Sequence, residues 1–166
     1  MSLARPPEEA RAAARQGEGL AVHAVLSRPA LSRLLRDAEA DVADYAALAV
    51  LLEEQFVSAL QHKTAALPAL AERITGLVDT LDGRRCTREA LVSEMLGSDT
   101  KPSMAALFAR LPAASHAPVE ALWQRLESAV QDCKARNTRN AHLMSEQHAI
   151  MQRVLFGEEA GIYTDA

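Results

Sequence analysis

Aromatic residues are scarce in this chain: Trp, Tyr and Phe together make up 4% of a sequence that is 49% apolar. Ala and Leu carry the apolar content instead, and both are strong helix formers. Glycine and proline number seven each in 166 residues, too few turn markers for a protein built from many short strands. No apolar run approaches the ~18 residues needed to span a bilayer. The N-terminus lacks the apolar core of a secretion signal. Two cysteines, Cys86 and Cys133, cannot make a disulfide framework and suit a reducing compartment. With 18 Lys plus Arg against 22 Asp plus Glu, the net charge is −4. There is no basic block, so nucleic acid is disfavoured as a partner. What remains is a cytoplasmic, all-α, protein-binding chain without membrane insertion.

The helical signal is strongest from Pro29 onward. Leu31, Leu35, Ala38, Val42, Tyr45, Ala49, Leu52, Phe56 and Ala59 recur at alternating spacings of four and three, the a/d pattern of a coiled coil. Asp37, Glu39, Asp41, Asp44, Glu53 and Glu54 lie between them and read as the wet side. The pattern predicts one long helix over about Pro29–Lys63. Pro68 interrupts it, marking either a second helix over Pro68–Thr80 or a kinked continuation. Asp82-Gly83 reads as its end. Thr87 then reads as the N-cap of a helix to Leu96, with Gly97 as its stop, and Ser103 as the cap of a short helix to Leu111. Ala113 to Pro118 reads as a loop. The last helix, Val119–Phe156, carries Val119, Leu122, Leu126, Ala129, Cys133, Asn137, Asn140, Met144, Gln147, Met151 and Val154 at steps of three and four. The expected fold is a helical bundle built on two long antiparallel coiled-coil-like helices with shorter connecting helices. Residues 1–28 form a leader expected to be flexible or in part helical, 29–157 the helical domain, and 158–166 a tail.

Signatures of chemistry are missing. The five histidines, His23, His62, His116, His142 and His148, include no i, i+3 or i, i+4 pair, and none follows a glutamate by three residues, as di-iron bundles require. Neither His-Glu-x-x-His nor Cys-x-x-Cys occurs. Phosphate-cradling glycine loops and a Gly-x-Ser-x-Gly elbow are also lacking. No catalytic residue, metal or cofactor is therefore assigned, and the chain is not read as an enzyme.

Two features rise above this background. Asn137 and Asn140 occupy positions where the stripe of the last helix calls for apolar side chains. A seam amide fixes register between helices, or it marks where the strip opens to a partner. The second feature is Tyr163, a lone aromatic in the final tail. It either folds back on the bundle end or serves as a recognition point, a role for which tyrosine is favoured.

The run Asn137-x-x-Asn140-x-x-Leu143-Met144, then Val154-Leu155-Phe156-Gly157, then Tyr163, resembles the FlgN family of bacterial flagellar export chaperones. Leu51-Leu52-Glu53-Glu54 resembles part of that family's leading helix. Ala141 stands where the family commonly has glycine, and Thr164 follows Tyr163 where glycine is usual. The resemblance implies a cytosolic chaperone that holds the C-terminal amphipathic helices of hook–filament junction (hook-associated) proteins. It keeps them unassembled and delivers them to the flagellar export gate. The client surface then falls on Asn137, Asn140, Leu143, Met144, Met151, Val154 and Leu155, a strip whose methionines suit adaptable binding, and Tyr163 becomes the export-gate contact. The competing reading is a structural or adaptor coiled-coil protein that self-associates as a homo-oligomer and buries the same stripes in itself.

Overall fold

A computed structural model describes residues 8–97 and 101–157, with side chains of the first helix described from Arg28. Among the described residues four α-helices follow one another: α1 (Glu8–Leu60), α2 (Leu67–Leu96), α3 (Met104–Ala109) and α4 (Ala113–Gly157). A short 3-10 turn, Thr64–Ala66, joins the first two. No strand occurs among the described residues, and the all-α expectation holds.

α1 and α2 form an antiparallel hairpin. α1 ends where His62 adopts a left-handed backbone, φ 53°, and the Lys63 amide donates back to the Ser58 carbonyl at 2.9 Å. Pro68 falls in the first turn of α2, where its missing donor costs nothing. It therefore starts a helix rather than kinking one. α2 then continues to Leu96 without a break. The expected stop at Asp82-Gly83 and the restart at Thr87 are both overturned. Thr87 is inside the helix, its hydroxyl donating to the Gly83 carbonyl at 3.0 Å. An interior glycine costs only about 1 kcal/mol, and neighbouring contacts offset it. Leu81 is buried, Arg85 bridges Asp82 and Glu89, and Arg84 and Arg88 are anchored to α1.

That anchor is Asp41, which is only 1% exposed although the periodicity puts it on the wet side. It accepts from Arg84 Nε at 2.5 Å and from Arg88, while Arg84 also reaches Asp44. The carboxylate is buried because two cations come to it from the facing helix, which offsets its desolvation. The Asp41 and Asp44 hydrogen bonds in turn push the Arg84 pKa above its ordinary value.

Gly97, at φ 75°, closes α2 as expected, and Arg110 caps its end by donating to the Leu96 carbonyl at 2.9 Å. Ser103 caps α3, its hydroxyl accepting from the Ala106 amide at 3.1 Å. α3 is shorter than expected, ending at Ala109. α4 begins at Ala113, not Val119, and carries Pro118 inside it. The ring forfeits one backbone bond near the start of the helix. Packing holds this end in place: the rings of Phe108, His116 and Trp123 meet edge to face, and the Arg88 guanidinium lies 5.6 Å over Trp123. Likewise α1 starts at Glu8 and runs through Pro29, so the helix does not begin at the expected boundary.

The largest correction concerns direction. Cys133 Sγ donates to the Tyr45 carbonyl (3.2 Å), Asn140 Nδ2 to the Leu52 carbonyl (2.7 Å), and Gln147 Nε2 to the Ala59 carbonyl (2.9 Å), each pair 88 residues apart. A constant difference means that α1 and α4 run parallel, in register, one heptad per contact. The expected antiparallel pairing of the two longest helices is wrong. α2 supplies the antiparallel return, and because it spans the bundle in one piece, α4 starts at the same end as the packed part of α1. α1 is thus the central helix. Leu34, Val92, Leu96 and Leu107 form the core at one end, and Leu48, Leu52, Leu81 and Cys133 the core further along.

Candidate protein-binding face

The ladder of donors defines where α4 is covered. Through Gln147 its seam lies on α1. Around it, Glu53 accepts from Arg136 at 2.9 Å and from Arg139 at 2.8 Å. The Arg139 bond, with the two nearby positive charges, holds the Glu53 carboxyl below the usual glutamate range. The guanidinium of Arg139 also sits 3.6 Å from the centre of the Phe56 ring. Burial pushes the Cys133 thiol pKa up, with Asp132 adding to the shift, so Cys133 is a neutral donor rather than a reactive thiolate.

Beyond Gln147, α1 has no more residues to offer, because its last, Leu60, directly follows the partner of Gln147. α4 continues to Gly157, roughly ten residues and about 15 Å further. Ile150, Met151, Val154 and Leu155 recur there at helical spacing and are 54–62% exposed. Val154 is the next step of the series Cys133, Asn140, Gln147, and Met151 the next step after Asn137 and Met144. The exposed strip is therefore the same seam, carried past the end of its partner helix. Phe156 is exposed as well. A row of large apolar side chains left bare in this way marks an interaction surface more often than an isolated exposed leucine does.

The structure separates the residues that the sequence grouped. Asn140 is 1% exposed, and its amide is used up by the Leu52 carbonyl and by Gln55 Oε1 at 3.0 Å. It clips α4 to α1, its amide committed to those two partners within the bundle. Asn137 is exposed on the side of α4 that faces α2. Leu143 and Met144 are half-buried where the covered seam gives way to the bare one. Met151, Val154 and Leu155 lie on the overhang, as a binding role requires. Ile150 and Phe156 share that overhang but had no part in the sequence assignment, although the apolar run Val154-Leu155-Phe156 was a visible signal. Tyr163 lies outside the described residues.

Among the described residues no cluster of His, Cys, Asp or Glu could hold a metal ion, and no helix is long and apolar enough to cross a membrane. Comparison with curated proteins and with solved structures gives no match. The family model described as FlgN protein matches residues 30–156, which takes in the packed part of α1, all of α2 and α3, and the overhang of α4. With a match over that span, the chain belongs to the FlgN family, a family of flagellar export chaperones.

Proposed function

We propose that this chaperone works in the cytoplasm and holds the C-terminal amphipathic helices of hook–filament junction proteins on the overhanging face of α4. There it keeps them unassembled until they are passed to the export gate. FlgN chaperones bind flagellar hook-associated proteins, and the observation that carries the finer reading is the coiled-coil seam continuing bare past Leu60. A client helix lies along the face of α4 that α1 no longer covers. Its apolar stripe covers Ile150, Met151, Val154 and Leu155, each worth roughly 1.5–3 kcal/mol if fully buried, before the cost of ordering the helix. Helix-in-groove recognition of this kind needs neither nucleotide nor covalent chemistry. Tyr163, six residues after Gly157 in the sequence, is assigned to the export gate by family resemblance.

The test is a calorimetric titration of the full chain with a peptide carrying the C-terminal helix of a hook-associated protein. Tight 1:1 binding that Met151→Asp with Leu155→Asp abolishes supports the reading. A chain that ignores the peptide and sediments as a stable dimer through the same face would instead be the self-associating coiled-coil protein. Tyr163→Ala should leave the titration unchanged while reducing capture by the isolated cytoplasmic part of the export gate. Unchanged capture removes the tail from the proposal.

A further inference from the structure

The arrangement of α2 and α4 around α1 leaves a second apolar surface. Each packs on α1, yet no residue of α2 brings its Cα within 8 Å of a Cα of α4. Helices in direct contact have axes 8–10 Å apart. With Cα atoms on a cylinder of radius ~2.3 Å, facing Cα atoms more than 8 Å apart put the axes at roughly 12 Å or beyond. That is close to the diagonal of a square whose sides are packed helix pairs. α2, α1 and α4 therefore occupy three corners of a four-helix bundle, and the fourth corner is open. Along it runs a furrow with a cavity of about 200 Å3, floored by Tyr45, Leu48 and Leu52 and walled by Ile74 and Val78 on one side and Val130 and Asn137 on the other. Val78 is 44% exposed.

The furrow and the overhang are continuous. Val130, Asn137 and Met144 lie on one line of α4 at heptad spacing, and Met151 is its next member. Two polar groups on the α4 wall are also unused. Lys134 and Asn137 make no ion pair or hydrogen bond among the described residues, although Lys134 lines the furrow beside Asn137.

We propose, resting on the reading above, that the client helix does not stop at the overhang. It runs on between α2 and α4 as the fourth helix of the bundle, reaching Val78 and Val130 and placing a carboxylate against Lys134 and Asn137. From Val130 to Leu155 the surface is about 38 Å long, which fits one unbroken amphipathic helix of roughly 25 residues. The partner is thus an acidic-flanked amphipathic helix, longer than the overhang alone would hold.

The experiment titrates the full chain with a ~30-residue peptide from the C-terminal helix of a hook-associated protein. Three variants are compared: Met151→Asp on the overhang, and Val78→Asp and Lys134→Glu in the furrow. A photo-crosslinking residue at position 78 is the independent readout, because it does not depend on a charge being tolerated in the fold. The expected result is loss of at least tenfold in affinity for Met151→Asp and about tenfold for Val78→Asp, the scale of one lost apolar contact. Lys134→Glu should weaken binding by a smaller factor, and position 78 should crosslink to the peptide. If Met151→Asp destroys binding while both furrow variants bind normally and position 78 captures nothing, the extension is wrong and the overhang reading stands. Crosslinking of position 78 to a second copy of this chain also overturns it. If no variant matters because the wild type does not bind, both proposals fall.

Discussion

The two ends of the seam on α4 differ in everything except sequence pattern. From Cys133 to Gln147 it is covered by α1 and clipped at each heptad by a side-chain donor on a backbone carbonyl. From Ile150 to Leu155 the same face is bare and carries no donor at all. A hydrogen-bond donor that must find one particular carbonyl fixes register, whereas an apolar contact is non-directional. The covered half is thus built to pair with one helix in one way. The bare half, on the function proposed above, accepts an apolar helix on the strength of area alone. On that proposal fold and function use one repeat, divided where α1 ends.

Large truncations should separate the halves most clearly. Leu126, 2% exposed on the covered part of α4, should cost about 3 kcal/mol when changed to Ala, through lost burial and the cavity left behind. Urea unfolding followed by circular dichroism would measure it. A loss under ~1 kcal/mol would mean that α4 is held less firmly than its contacts indicate. Asp41→Ala should be of similar size, about 3 kcal/mol, because it leaves Arg88 without its carboxylate partner and Arg84 with Asp44 alone, beside an emptied site. That figure is at the low end for a buried pair, since the Arg84 side chain is 23% exposed and partly solvated. Asp41→Ala tests how far the α1/α2 interface depends on a buried charge, where the α1/α4 ion pairs of Glu53 with Arg136 and Arg139 are partly exposed. The covered and bare halves of α4 should be indifferent to it except through global stability.

Asp41 also shows where reading the sequence stops. The periodic stripes named the helices, the covered seam and the apolar end of α4, because burial on one face imposes period on the chain. A carboxylate between apolar positions carries no mark of burial when its partners are forty-odd residues away on another helix. Gly83 misled for the opposite reason: a local stop signal was outweighed by tertiary anchors on both sides. That single error set the helix direction. Cut at Gly83, α2 becomes two short connectors and the two long helices pair antiparallel. Left whole, it is a full return stroke, and α4 must run parallel to α1. Asn137 and Asn140 looked equivalent because both fall on the apolar stripe, yet only Asn140 has a carbonyl opposite it. Three residues along a helix amounts to a rotation of about 60° off the same line, enough to move Asn137 from the seam to its edge.

A smaller effect should come from Asn140→Ala, about 1–2 kcal/mol, since the amide loses its bonds to Leu52 and Gln55 but leaves no buried charge. Asn140→Leu sharpens the point. It should recover most of that stability while loosening register, seen as doubled or broadened amide resonances in α1 around Leu52. A single sharp set of resonances in Asn140→Leu would show that Cys133 and Gln147 hold the register without it.

The smallest change in stability should follow Leu155→Ala, and it decides the comparison. Leu155 and Leu126 are the same residue on the same helix, one 59% and the other 2% exposed. If the end of α4 is a free binding surface, Leu155→Ala leaves unfolding within about 0.5 kcal/mol of the wild type. It should nevertheless weaken binding of the client helix several-fold. The free protein already pays for that exposed area, so removing it relieves the folded and unfolded states alike, and only the complex loses contact. A destabilisation approaching that of Leu126→Ala would mean that Leu155 is covered in solution, by a second copy or by the chain itself. The bare half of the seam would then belong to the fold.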